Sequence, residues 1–264
     1  MIDEVHEGTA RHHLLNGKVV LHQDAGGAHR AGLDAVMLAA SVSSKVAHVV
    51  DLGAGVGSAG LCVAARLPSV KVTLIENNPT TLIFARKTLE DTENKSFFPR
   101  VTLLDADVTL RGKHRVDAGL TENMADCVIM NPPYWDEGKV RHSANDDRVS
   151  AHILGEGGLT PWFKTASAIL KKSGCLSVIF PAERLDALLD QMKGRFGGIE
   201  VYPLYKGENE AASRVVVRGI KASRASLKIL PGLILHEAKT EGTTRREWTT
   251  RANAILKGEA SLFI

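Results

Sequence analysis

Apolar residues along this chain fall into short blocks, and the period changes from block to block in a regular order. "HVVDL" (48–52), "KVTLIE" (71–76), "VTLLDAD" (101–107), "ADCVIMN" (125–131) and "CLSVIF" (175–180) are runs of strand length. Between them, "SAGLCVAARL" (58–67), "PTTLIFARKTLEDT" (79–92), "PWFKTASAILKK" (161–172) and "ERLDALLDQMK" (183–193) repeat at helical spacing. Pro79 and Pro161 stand where a first helical turn has no use for an N–H. Strands alternating with helices predict a parallel sheet covered on both faces. The last two strands, "IEVYPLY" and "RVVVRGI", are joined by a short loop, which predicts an antiparallel pair. Residues 1–47, 108–124 and 136–158 read as irregular. The last of these mixes Lys139, Arg141, His142, Asp146, Asp147 and Arg148 with three glycines. A polar loop that long inside a compact domain usually carries function.

Composition changes this picture little. The 264 residues suit one large α/β domain or one with a small appendage, and 44% hydrophobic with 24% charged residues is ordinary for a soluble protein. A net charge of +3 permits an anionic partner without requiring one. Cys62, Cys127 and Cys175 lie singly in apolar runs, so they read as core residues in a reducing compartment, with neither a disulfide framework nor a metal site. No leader pattern and no membrane-length apolar stretch is visible, so the expected location is the cytoplasm.

"DLGAGVG" places Asp51, Gly53, Gly55 and Gly57 between a strand and a helix. In a parallel sheet that is where ligands bind. The dinucleotide fingerprint needs its third glycine at position 58, which is Ser58 here, so the spacing points away from NAD. Glu76, with Asn77 beside it, ends the second strand and can accept from ribose hydroxyls. Asp107, past the third strand, can accept from an adenine amino group. These features resemble the S-adenosylmethionine-dependent methyltransferases with a seven-stranded sheet: an α/β, Rossmann-like fold, mostly parallel, with a C-terminal antiparallel hairpin. The resemblance makes residues 1–47 a leading segment packed on the donor site and residues 48–264 the methyltransferase domain.

"NPPY" follows the fourth strand. An exocyclic amino nitrogen is a poor nucleophile because its lone pair is delocalised. Two fixed acceptors, the Asn131 side-chain oxygen and the Pro132 carbonyl, would hold its two N–H groups and turn the lone pair toward a methyl donor. Pro133 restricts Pro132 and so fixes where that carbonyl points. Tyr134 can stack on a planar target, and Trp135 can wall the pocket. This motif resembles that of the Asn-Pro-Pro-Tyr amino-group methyltransferases. The N-terminal run Gly17, Lys18, Gln23, Arg30, Gly32, Asp34, Leu38 and Ala39, together with "YPLYKGENEAASRVVVRGIK" and "ILKGEASLFI", narrows the likeness to the bacterial tRNA adenine-N6 methyltransferases acting next to a valine anticodon. Two departures are the stretch 108–124 and Trp248 in place of a tyrosine. The likeness implies tRNA as partner, S-adenosylmethionine as methyl source, and neither metal nor membrane. Arg30 would face the donor's carboxylate. Asp34 would face its ammonium or cap the helix that follows. A guanine-N2 ribosomal RNA enzyme, a protein glutamine N5-methyltransferase and a non-catalytic RNA-presenting subunit remain as alternatives. Two basic clusters are candidate phosphate contacts: Arg214, Arg218, Lys221, Arg224 and Lys228, or the loop residues Lys139, Arg141, His142 and Arg148.

Overall fold

The computed structural model describes residues 8–25, 32–133, 158–238 and 246–263. Five parallel strands form its centre: β3 (His48–Leu52), β4 (Lys71–Glu76), β5 (Val101–Asp105), β6 (Ala125–Met130) and β7 (Leu170–Pro181). β8 (Phe196–Tyr205) and β9 (Ala212–Lys221) pair antiparallel, and β9 inserts between β8 and β7, so the order is β8-β9-β7-β6-β3-β4-β5. This is the expected seven-stranded sheet. Two short strands, β10 (Lys228–Ile229) and β11 (Leu233–Ile234), extend it by pairing parallel to β8.

Alternation along each strand builds two apolar layers, because successive side chains point to opposite faces. Val49, Cys127 and Ile129 face one layer, beneath α1 (Leu33–Ala40), α2 (Ser58–Arg66) and α7 (Thr250–Leu256). Val50, Leu52, Val128 and Met130 face the other, beneath α5 (Thr160–Ile169) and α6 (Leu185–Met192). A strand buried on both faces must be apolar nearly throughout, which is why these runs lack polar alternation. α3 (Pro79–Glu90) starts where expected: Asn78 is its cap, accepting from the Thr81 N–H, and Pro79 takes the first turn.

Two segments expected to be irregular are structured. Residues 108–124 contain α4 (Gly112–Asp117). Its sequence, "GKHRVD", is too short and polar for a helical period to stand out. Residues 1–47 contain a hairpin, β1 (Thr9–Leu14) and β2 (Val19–Asp24), besides α1. The hairpin is fixed to the edge of the domain by polar contacts from remote residues. The buried Asn94 accepts from the Val20 N–H at 3.0 Å and donates to the Val20 and Thr88 carbonyls. His22 N donates to Thr88 Oγ1, and Arg11 pairs with Asp91 and Glu93. Such bonds depend on residues some 70 positions away, so no local pattern announces them.

Candidate active site

The carboxyl ends of the parallel strands bring the sequence-selected residues to one edge. β3 ends at Leu52 and Gly53 turns the chain in the left-handed region, at φ 65°. Only glycine suits that turn at low cost. It is also crowded: a Cβ on Gly53 would lie 2.3 Å from Trp162 Cη2. Gly55, at φ 59°, is the opposite case, since a Cβ there would meet nothing within 4 Å. The loop therefore leaves open space beside Gly55 that a side chain would fill. Gly57 is the residue before α2, packed against Leu61 and Leu74.

Glu76 at the end of β4 closes this loop. Its Oε2 accepts from the Gly55 N–H at 2.9 Å, and its Oε1 accepts from the Asn77 and Asn78 N–H groups at 3.0 and 2.9 Å. The carboxylate thus braces the glycine loop and stays partly accessible. Asn77 contributes its backbone N–H to that brace. Asp107 lies one strand further out, where its Oδ1 accepts from the Thr109 N–H at 2.7 Å. Open space at Gly55 beside an acidic side chain suits a ligand with vicinal hydroxyls, the ribose of the expected donor.

Asp51 sits differently from its neighbours in the motif. Strand alternation turns it beneath α2, where it is 2% exposed and its Oδ2 accepts from the Gly60 N–H at 2.8 Å. Burial pushes its carboxyl up to about 7; the nearby Glu76 charge adds to this, and the Gly60 bond opposes it. Asp51 therefore shapes the start of α2 from below. The sequence could not separate it from the other loop residues, because burial is invisible there.

Asn131 leaves the end of β6 exposed, Pro132 is buried and Pro133 is half-buried. β6 lies directly beside β3, with Met130 opposite Leu52, so Asn131 and Gly53 leave adjacent strands at the same edge. Tyr134, Trp135, the basic loop 136–157 and Arg30 lie outside the described residues.

Asp34 belongs to the same edge. It stands in the first turn of α1, whose cap is Gly32, so it is not the capping residue. Its Oδ2 accepts from Arg214 Nε at 3.0 Å. Arg214, near the start of β9, lies opposite Pro181 at the end of β7. The remaining basic window disperses: Arg218 pairs with Glu200, Lys221 donates to the Leu170 carbonyl at the opposite sheet edge, and Arg224 and Lys228 are exposed beyond it. It makes no continuous phosphate track on this edge. Trp162 is the feature that the sequence reading missed. It reads as an ordinary helix-start aromatic, yet its ring forms the floor under Gly53.

Among the described residues no helix is long and apolar enough to cross a membrane, and no cluster of His, Cys, Asp and Glu suits a metal ion. All three cysteines are free, and burial pushes the Cys62 thiol well up.

Comparison with known proteins agrees with this geometry. A Haemophilus influenzae protein named tRNA1(Val) (adenine(37)-N6)-methyltransferase is 27% identical over 158 residues, 59% of this chain and 63% of that relative; the chain thus spans less than two thirds of its length. A Mycolicibacterium smegmatis release factor glutamine methyltransferase is 32% identical over 108 residues, 41% of this chain and 34% of that protein. A crystal structure of an Agrobacterium tumefaciens protein described as a predicted O-methyltransferase superposes with a TM-score of 0.73 at 37% identity, covering 86% of this chain and 97% of that one. The family model of the methyltransferase small domain matches residues 30–203, and with the strand order, the glycine loop and the exposed Asn131 on one edge, the chain belongs to that family.

Proposed function

We propose that this protein transfers a methyl group from S-adenosylmethionine to the exocyclic amino group of an adenine in tRNA, at N6. The observation that carries this reading is Asn131, exposed at the end of β6 and one strand from the open glycine loop. The donor supplies an electrophilic methyl on a sulfonium. The space beside Gly55, with the carboxylate of Glu76, is its adenosine site, and Asp107 is placed for the adenine. Arg30 and Asp34 are the candidates for its methionine end.

The residues of this chain then act on the target. The Asn131 oxygen and the Pro132 carbonyl accept the two amino N–H bonds and aim the nitrogen lone pair. The amino proton turns acidic as the new C–N bond forms, so no strong base is needed. Tyr134 supplies a stacking face for the planar target. A target inside a helix must leave its stack first, so an unpaired adenine is the better substrate.

Two neighbours point elsewhere, and the chemistry of the Asn-Pro pair bears on each differently. The glutamine in that enzyme's name carries a planar amide nitrogen, which the same two acceptors would serve, so the 108 matched residues alone do not choose. A hydroxyl acceptor, as in the name of the Agrobacterium protein, has one proton and requires a base; the Asn-Pro pair provides two acceptors and no base. The test is transfer of labelled methyl from S-adenosylmethionine to total tRNA, ribosomal RNA and purified release factor, followed by nucleoside and amino-acid analysis. N6-methyladenosine in tRNA is the expected product. An O-methylated product, or label in protein alone, would overturn the reading.

A further inference from the structure

Arg214 and Asp34 form an ion pair at the carboxyl edge of the sheet, at the height of the open loops. The strand registers give that height. Leu52 lies opposite Met130, Met130 opposite Val178, and Pro181, three residues past Val178, opposite Arg214. Arg214 is thus level with the residues just beyond Met130, where Asn131 leaves its strand, and not with the buried body of the sheet. Val215 faces the layer of α5 and α6 and Val216 that of α1 and α2, so Arg214 shares the face of Val216. There its Nε donates to Asp34 Oδ2 at 3.0 Å, in the first turn of α1, and its Nη1 donates to the Ser213 carbonyl at 3.0 Å. The two side chains are 31% and 24% accessible, so a ligand can reach both charges.

The strand order sets what lies on either side. Along the edge stand Asp107 after β5, Glu76 at the end of β4, the Gly53–Gly57 loop after β3, Asn131 after β6, and then Arg214 beside the end of β7. The donor's adenosine belongs to the first three of these positions. Its methyl must point at the nitrogen held by Asn131. The sulfonium carries one further arm, the amino-acid chain, which leaves the sulfur away from the adenosine and so runs on toward β7 and β9. Arg214 lies there, two inter-strand steps of ~4.8 Å, or about 10 Å, from Asn131. Glu76 follows Leu74 by two residues, so it shares the face covered by α1 and α2, as Arg214 does.

We propose that the Asp34–Arg214 pair binds the amino-acid end of the methyl donor, with the α-carboxylate against the Arg214 guanidinium and the ammonium against Asp34. This inference rests on the donor reading above and gives the carboxylate a partner on β9, independent of Arg30. The ligand end is a zwitterion without net charge. A lone cation or a lone anion would attract one of its groups and repel the other, whereas a pair of opposite charges attracts both. The next charged residues past β7, Glu183 and Arg184, are again one of each sign, so the surroundings keep this balance. The pair is also set before the ligand arrives. Ser213 holds the guanidinium, and α1 holds Asp34 through its buried residues Ala35 to Ala40. Charges already in place need little ordering on binding. A guanidinium presents its N–H groups in the planar fork that a carboxylate matches.

Calorimetry tests this with three ligands: S-adenosylhomocysteine, the same molecule without its carboxylate, and 5′-methylthioadenosine, which lacks the amino-acid end. Wild type is compared with Arg214→Met, Arg214→Lys and Asp34→Asn. Arg214→Met is expected to weaken S-adenosylhomocysteine binding about 10- to 100-fold, the scale of a lost hydrogen bond between charged groups. It should bind the decarboxylated ligand at least as tightly as wild type does, because the guanidinium that repels the ammonium is gone. Asp34→Asn weakens both ligands that carry the amine, Arg214→Lys falls between wild type and Arg214→Met, and methylthioadenosine affinity is the same in all four proteins. In wild type, the Arg214 Nε–H resonance, assigned with Arg214→Lys, moves on adding S-adenosylhomocysteine and not methylthioadenosine. Unchanged S-adenosylhomocysteine affinity in Arg214→Met, or an unmoved resonance at saturation, overturns the assignment while leaving the methyl-transfer reading intact. Equal loss with and without the carboxylate shows Arg214 acting only through Asp34 and also overturns it. Equal loss on all three ligands assigns the pair to folding, with the same consequence. Binding of none of the three by wild type removes the donor reading beneath it.

Discussion

Replacing Gly53 with alanine tests how the glycine loop is held. Two costs arise at once. The backbone sits at φ 65°, where an L-residue costs about 1 to 2 kcal/mol. The added Cβ would lie 2.3 Å from Cη2 and 2.7 Å from Cζ3 of Trp162, a ring only 5% exposed and unable to swing aside. Overpacking of that kind costs about 1 to 3 kcal/mol. Gly53→Ala should therefore lower stability by about 2 to 5 kcal/mol, a large fraction of the ~5 to 15 kcal/mol typical of a folded domain. The two costs separate in a double-mutant cycle. Trp162→Phe shortens the ring and removes the clashing atoms, so in that background Gly53→Ala should cost only the backbone part. A coupling of about 1 to 3 kcal/mol is expected, read from urea unfolding followed by far-UV circular dichroism. Strict additivity of the two substitutions would refute the floor assigned to Trp162. A Gly53→Ala protein within about 0.5 kcal/mol of wild type would refute both parts of the reasoning.

Other substitutions test the remaining contacts. Glu76→Ala removes the acceptor for three backbone N–H groups; it should weaken S-adenosylhomocysteine binding by ~1 to 3 kcal/mol in calorimetry and lower the unfolding midpoint as well. Asn131→Ala leaves the loop untouched, so donor affinity should hold while single-turnover methyl transfer falls ~10²-fold or more. Asp51 keeps its proton up to about pH 7 in the native state but loses it near the ordinary 3.8 when unfolded. The native state thus binds more protons across that interval, and the stability this group contributes is full below it and is lost as pH rises through it. The loss amounts to at most about 4 kcal/mol, and Asp51→Asn should flatten that part of a stability–pH profile measured by thermal unfolding. Asn94→Ala should destabilise by about 2 to 4 kcal/mol and expose residues 8–25 to limited proteolysis, since the Val20 groups lose their partner.

The sequence by itself determined the parts whose signals are local. A strand buried on both faces must be written in apolar residues, so β3, β4 and β6 were legible from their apolar runs alone. A tight turn at a strand end needs glycine, so the Gly53–Gly57 loop announced itself. The order of strands and helices, with no helix between β8 and β9, settled the fold class and its closing hairpin. Tertiary structure decided what depends on contact between distant residues. The hairpin β1–β2 exists through Asn94, Thr88 and Asp91, which no period of the N-terminal segment encodes. Asp51 and Glu76 are carboxylates on neighbouring strands and on the same sheet face, but Asp51 lies inside β3 and is buried under α2, whereas Glu76 is the last residue of β4 and reaches the open edge; only packing reveals the difference. For Asp34 the sequence left two roles open, a partner for the donor's ammonium or a helix cap; the structure gives the cap position to Gly32 and brings Arg214, 180 residues away in sequence, to its carboxylate. The basic window on β9 looked continuous because adjacent letters lie side by side on a page, whereas a strand spreads them from one edge of the sheet to the other at ~3.4 Å per residue and hands two of them to carboxylates.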